Sequence, residues 1–262
     1  MRISATLPAH NEEANIEQAI TELQEVLYDI CGTGNYEVIV VNDGSTDRTA
    51  EIVRKIQEAD SSVKLICHKT NLGYGQAVKT GLLAADMDYV FQTDSDLQFD
   101  MWEIHRMIPF LDRADVVWGY RMDRQDPKSR RFVAWMWNCL MRVMFYVPVR
   151  DIDCAFRIFK RETLRGLELD SMGALLSTEL VVKLGRSGYG VAEVGVTHYP
   201  RPAGEQSGAN LKVIVTAFRE LRRMRNIIKR IDTAERNYAR RRALRIHRSS
   251  HIPPHEIPPA KD

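Results

Sequence analysis

Cysteine is scarce and scattered. The four thiols, Cys31, Cys67, Cys139 and Cys154, form no CxxC pair. That distribution suits free thiols in a reducing compartment and argues against a zinc site. Long hydrophobic runs are also lacking. The longest, residues 132–149, carries Asn138 and Arg142 and includes Pro148 near its end, so it does not read as a membrane-spanning helix. Its Trp135, Met136, Trp137, Met141 and Met144 fit a core-packing helix or an interfacial, sticky surface equally well. No leader pattern precedes the first strand-like residues, and no internal repeat is visible. Net charge is only +2. Basic residues do crowd between positions 211 and 248, but aromatics hardly interleave with them, so no nucleic-acid partner is expected.

What is present is a regular alternation. Strand patterns occupy residues 3–7, 36–41, 63–67, 89–93, 114–120, 154–159 and 189–196. Helical stripes lie between most of them. Ile16, Ile20, Leu23, Leu27 and Ile30 mark the first, and residues 46–59 the second, with Ser45 placed to cap it. A small-faced helix carries Ala77, Gly81, Ala84 and Ala85, another runs from Gln98 to about Leu111, and a further one spans residues 177–187. This order predicts an α/β fold, a mostly parallel sheet with helices on both faces. Ligands of such sheets bind beyond the carboxyl ends of the strands. The polar loops at residues 8–13, 42–47, 71–75 and 94–98 all leave such ends and are expected to meet at one edge.

The most informative of these loops reads Asp94-Ser95-Asp96-Leu97-Gln98. In an extended chain alternate residues share a face, so Asp94, Asp96 and Gln98 are expected to point one way. Adjacent carboxylates at the end of a buried strand repel each other. A hard divalent cation, Mg2+ or Mn2+, relieves that repulsion and leaves coordination sites for water and phosphate. Taken alone, the triplet is also compatible with a solvated acidic loop.

Four motifs in order narrow the reading. They are Leu7-Pro8-Ala9-His10-Asn11-Glu12-Glu13, Val41-Asn42-Asp43-Gly44-Ser45-Thr46-Asp47, Asn71-Leu72-Gly73 with Gly75 and Ala77, and Thr93-Asp94-Ser95-Asp96-Leu97-Gln98, extended by Gly119-Tyr120-Arg121 and residues 151–159. Together they resemble the family 2 glycosyltransferases, inverting enzymes of the GT-A (Rossmann-like) fold, and within them the dolichol- or polyprenyl-phosphate sugar synthases. The resemblance covers residues 1–210 as a catalytic domain. A basic amphipathic helix over residues 211–248 and a disordered Pro-rich tail over 249–262 complete the expected organisation.

The resemblance implies roles for individual residues. Pro8, Ala9, His10, Glu12 and Asp43 line the nucleoside pocket. Asp94 and Ser95 lie near the ribose or sugar, and Asp96 and Gln98, with Asp94, hold Mg2+ or Mn2+. Arg121 and one of Arg130 or Arg131 grip phosphate oxygens, as planar guanidinium groups do well. From their place before a Pro/Gly-rich loop, and apart from the resemblance, His198 and Arg201 are expected either to clamp donor or acceptor phosphate or to be a strand-end histidine and a solvated arginine. Glu179 and Asp153 are the candidates for a base if the acceptor is a hydroxyl.

The implied reaction moves a sugar from a UDP- or GDP-linked donor to an acceptor, most naturally a lipid phosphate. Two departures bear on the acceptor: the chain reads Ile152-Asp153-Cys154-Ala155-Phe156 where those synthases favour Pro and then Ser-Gly-Phe, and it has no C-terminal transmembrane pair. A hydroxyl acceptor, or a sugar-nucleotide-binding protein without catalysis, are the competing readings. A nucleotidyltransferase is set aside because residues 8–13 lack its Gly-rich basic loop. The expected location is cytoplasmic, with peripheral attachment to the anionic inner face of a membrane through the basic helix and the Trp/Met segment.

Overall fold

The computed structural model describes residues 1–122, 128–145, 147, 149–171, 173 and 175–202, and of residues 128–134 only the helical backbone. The basic helix and Pro-rich tail expected beyond residue 210, and the loop after Pro202, lie outside the described residues.

Seven strands form one mixed sheet in the order β3-β2-β1-β4-β6-β5-β7. They are β1 (Ile3–Ala9), β2 (Tyr36–Asn42), β3 (Val63–Cys67), β4 (Tyr89–Gln92), β5 (Val116–Met122), β6 (Arg157–Lys160) and β7 (Val191–Thr197). β1 pairs in parallel with β2 and β4, β2 with β3, and β5 with β7; β6 runs antiparallel to β4 and β5. Every strand foreseen from the sequence is present. β6 begins later than the pattern at 154–159 because the chain first turns, with the Cys154 N–H donating to the Asp151 carbonyl at 3.3 Å.

The sheet is covered on both faces, which is why β1 is buried along its whole length. On one face α1 (Ile16–Cys31) contributes Ile16, Ala19, Ile20, Leu23, Val26 and Leu27 to the core, with Val53 of α2 (Thr49–Ala59) and residues 101–111 beside it. On the other lie α3 (Tyr74–Ala84), α4 (Lys128–Phe145) and α5 (Leu176–Arg186). The small face of α3 has a use. A Cβ on Gly81 would lie 3.1 Å from Thr6 Cβ, so glycine lets the helix approach β1 closely.

Two local expectations change. The helix after Gln98 is a pair of 3-10 turns, Met101–Arg106 and Ile108–Asp112. Pro109 disfavours α geometry at Ile108 and removes one donor, which breaks a continuous helix. Ser45 does not cap α2, whose first residue is Thr49. Its Oγ instead accepts the Asn11 N–H at 3.0 Å, and Asp47 Oδ1 takes the Thr49 N–H at 3.0 Å.

The Trp/Met helix α4 divides its residues. Met141 and Phe145 are buried in the core, while Trp135 is 61% and Met136 53% exposed. The core-packing reading therefore holds for the side of the helix that carries Met141 and Phe145, while Trp135 and Met136 face solvent. No described helix is long and apolar enough to cross a membrane.

Candidate active site

Register brings the loops together. Ala9, Asn42 and Cys67 are level across β1, β2 and β3, so these strands end side by side. Thr6 pairs with Gln92, which sets the segment after β4 alongside the end of β1. There Ser95 Oγ donates to the Pro8 carbonyl at 2.9 Å. The loop after β1 is laced to the loop after β2. The Glu12 N–H donates to Thr49 Oγ1 at 2.9 Å, the Glu13 N–H to Asp47 Oδ2 at 3.0 Å, and the Thr46 N–H to Asn11 Oδ1 at 2.9 Å. The His10 ring, through Nδ1, donates to the Asp43 carbonyl at 2.9 Å.

Asp43 is buried, and its oxygens are engaged by the chain itself. Oδ1 accepts from the Leu72 N–H at 2.9 Å and faces His68 Nδ1 at 2.7 Å; Oδ2 accepts from the Gly73 N–H at 2.8 Å. It thus ties the loop after β3 to the site. Gly44 makes this possible. It has φ of +65°, and a Cβ there would fall 2.4 Å from the Thr70 carbonyl carbon, closer than any side chain allows.

The two aspartates form the electrostatic centre. Burial is the main influence on both, raising their affinity for protons. Asp96 is pushed up to about 7 by burial first and by the Asp94 charge second. Glu12 adds further negative charge near both. Positive charge comes from Arg201, whose Nη2 donates to Glu12 Oε1 and whose Nη1 lies 4.0 Å from Asp96 Oδ2. Asp94 is favoured in its charged form by the Tyr74 hydroxyl, which donates to Oδ1 at 2.9 Å, and by Arg157 and Arg121.

Asp94 and Asp96 share one environment while Ser95 turns inward, as alternation requires. The extended geometry stops at Leu97, where φ is +60°. The Gln98 N–H donates to Asp96 Oδ1 at 3.2 Å, and its Nε2 donates to the Tyr199 carbonyl at 3.0 Å, joining this loop to the one that carries His198 and Arg201. Among the described residues no group of three or more His, Cys, Asp or Glu side chains forms a metal cage. Desolvated carboxylates in need of positive charge do fit a hard cation that takes its remaining oxygens from a ligand.

Arg121 is placed differently from expectation. Its fork is closed on Asp151, with Nε to Oδ2 at 2.7 Å and Nη2 to Oδ1 at 2.8 Å. Burial alone would lower its affinity for protons, but Asp151 outweighs that, so the guanidinium is firmly charged. It acts on Asp94 as a fixed positive charge rather than as an open phosphate fork. Asp153 is exposed and lies in the field of Arg121 and Arg157.

Glu179 is buried in the first turn of α5, where its oxygens accept the Asp170 and Ser171 N–H groups at 2.9 and 2.7 Å and meet Lys183 Nζ at 2.6 Å. These contacts anchor the segment at residues 170–171 to α5. The side chains of Arg130 and Arg131 lie outside what is described.

Three residues of this region escaped the sequence reading in their roles: Tyr74, Asp151 and Arg157. Arg157 left a signal, since a charged residue interrupts an apolar strand pattern. Tyr74 sits at the start of an otherwise ordinary helix and left none.

The sequence is matched over residues 4–167 by the profile of a family described as Glycosyl transferase family 2. Among characterised proteins, glycosyltransferase AglD of Haloferax volcanii is 29% identical over 209 residues, covering 77% of this chain and 34% of that protein. Undecaprenyl-phosphate 4-deoxy-4-formamido-L-arabinose transferase of Pseudomonas aeruginosa is 26% identical over 220 residues, covering 82% of this chain and 63% of that one. The chain thus spans about a third of the one relative and under two thirds of the other. Undecaprenyl-phosphate mannosyltransferase of Micrococcus luteus is 26% identical, covering 78% of this chain and 86% of the enzyme. Glucosyl-3-phosphoglycerate synthase of Mycobacterium tuberculosis, solved with Mn2+, UDP-glucose and phosphoglyceric acid, superposes with a TM-score of 0.57 at 23% identity, covering 77% of this chain and 72% of that one. That likeness is one of fold. With the family profile matching well over half of its length, this chain belongs to the family 2 glycosyltransferases.

Proposed function

We propose that the protein transfers a sugar, with inversion at the anomeric carbon, from a UDP- or GDP-linked donor to a polyprenyl phosphate. The observation that carries this reading is the part-buried Asp94–Asp96 pair at the carboxyl edge of the sheet, with the Asp96 carboxyl pushed up to about 7 by burial and its neighbour. Such a pair is costly unless it works on positive charge. Two of the relatives above are named for undecaprenyl phosphate, which supports the acceptor.

In this reading Pro8, Ala9 and His10 line the nucleoside pocket. Asp43 shapes it by holding Leu72 and Gly73 in place. Asp96, with Asp94, would hold Mg2+ or Mn2+, which when bound offsets the charge that develops on the leaving diphosphate. Arg201 and His198 border the same space, and Arg201 supplies a guanidinium for phosphate oxygens. A phosphate acceptor is already anionic and needs little help from a base. Asp153, being exposed, is the group that would serve a hydroxyl acceptor.

The test is release of nucleoside diphosphate from UDP- and GDP-hexoses with Mn2+ or Mg2+, with and without undecaprenyl phosphate. Stimulation by the lipid is expected. Stimulation by glycans alone would move the assignment to a hydroxyl acceptor, and no release with any donor would end the enzymatic reading.

The four free thiols support a cytoplasmic, reducing location, and the exposed Trp135, Met136 and Val143 of α4 support peripheral contact with a membrane. Anionic vesicles are therefore expected to co-sediment the protein, and Trp135→Ser with Met136→Ser to reduce that several-fold. Equal sedimentation of the double variant would remove α4 from the membrane contact.

A further inference from the structure

Arg157 is the most unusual side chain of the described core. It is 1% exposed, at the start of β6, and pairs in register with Gln92 of β4 and Trp118 of β5. Directly paired residues share a sheet face, so the three stand in a row on the face covered by α3, α4 and α5. The guanidinium carbon lies 4.2 Å from the centre of the Trp118 ring, and Nη2 donates to Ser177 Oγ at 2.8 Å. Among the described residues Nε and Nη1 have no hydrogen-bond partner, and neither has Oε1 of the neighbouring Gln92.

A buried charged donor left unsatisfied is expensive. Here the position is worse than average, because Ser177 belongs to the first turn of α5, a helix without a side-chain cap. Its positive end repels a cation. Packing alone would be better served by an apolar residue. The arrangement calls for an oxygen that accepts from Arg157 and also donates to Gln92.

That double requirement selects the chemistry. Phosphate or carboxylate oxygens accept only, so Gln92 Oε1 would stay unanswered, and they would add negative charge close to Asp94 and Asp153, whose fields already reach Arg157. A hydroxyl answers both groups. The row also adjoins the proposed donor site. Gln92 Nε2 donates to the Tyr74 hydroxyl at 3.2 Å, and that hydroxyl donates to Asp94. Tyr74 is 43% exposed as a residue although its hydroxyl is turned inward. It is the most exposed member of the group and lies between the row and solvent.

We infer that Arg157 and Gln92 bind a hydroxyl group of the transferred sugar, with Tyr74 as the cover, and so help decide which sugar is accepted. This rests on the donor reading above. It is tested by calorimetric titration of the wild type, Arg157→Met, Arg157→Lys and Gln92→Met. The ligands are UDP, GDP, their glucose conjugates and the 2-, 3-, 4- and 6-deoxyglucose conjugates, all with Mn2+. The quantity of interest is the ratio of affinities for nucleotide sugar and matching nucleotide.

In the wild type one deoxy conjugate is expected to lose about tenfold or more in that ratio. In Arg157→Met and Gln92→Met the ratio for the intact sugar is expected to fall by a similar factor, with no further loss for that deoxy conjugate. Should Arg157→Met fail to fold, Arg157→Lys and Gln92→Met carry the comparison. Equal ratios for all deoxy conjugates in the wild type would overturn the inference. So would variants that weaken nucleotide and nucleotide sugar alike, the result expected if an internal water bridges the two groups. Binding of nucleotide with no gain from the sugar sinks this inference and spares the nucleotide site. Binding of no nucleotide at all sinks both.

Discussion

Asp96→Asn is expected to lower sugar transfer by about a hundred- to a thousandfold and at the same time to make the protein more stable. The two effects share one cause. The Asp96 carboxyl is pushed up to about 7 by burial and by Asp94, so ionising it near and above neutral pH costs the folded chain stability. A group whose folded value is raised stabilises below its ordinary range, and that contribution is lost as pH climbs through the folded value. Without a divalent cation the wild type should therefore melt at a lower temperature at pH 8 than at pH 6, and Asp96→Asn should show a smaller difference. Mn2+ with nucleotide should raise the melting temperature of the wild type at pH 8 and have little effect on the variant. Scanning calorimetry at both pH values, with the transfer assay, checks all of this. Full transfer activity in Asp96→Asn would remove this residue from the site.

Breaking the Arg121–Asp151 pair gives the second large effect. Asp151 is buried and the Arg121 side chain is only 13% exposed, and the two contacts are 2.7 and 2.8 Å long. Asp151→Ala strands the guanidinium of Arg121 in the interior, and removal of one partner of a buried pair costs about 3–5 kcal/mol. The double variant Arg121→Met with Asp151→Leu leaves no stranded charge and should recover much of that stability. It should not recover activity, because Asp94 loses a fixed positive neighbour. Urea unfolding of the single and double variants separates the two outcomes. If Asp151→Ala unfolds within about 0.5 kcal/mol of the wild type, the pair is not the strut described here.

Much of this was legible in the residues. Hydrophobic periodicity located all seven strands and the cores of α1, α3 and α5, because burial on two sheet faces imposes it. The meeting of four polar loops followed from parallel pairing, since strands that start level also end level. Less local matters were hidden. Period two cannot reveal that β6 runs antiparallel, because direction leaves no trace in alternation. Arg121 reads from sequence as an open guanidinium, since its partner Asp151 lies 30 positions away. Glu179 reads as a base, and its contacts with the N–H groups of residues 170 and 171 leave no trace in the sequence. Asp43 reads as a ligand-facing carboxylate, and three contacts with the loop after β3 show a framing role that no spacing rule encodes.

The lacing of the first two loops has a consequence for how this architecture can be altered. Asn11, Glu12 and Glu13 exchange hydrogen bonds with Ser45, Thr46, Asp47, Arg48 and Thr49 in both directions, mostly between a side chain of one and the backbone of the other. Each segment helps hold the other's shape. A graft from a related enzyme must carry both as a single cassette, and drift at one of them is tolerated only when the other drifts in step.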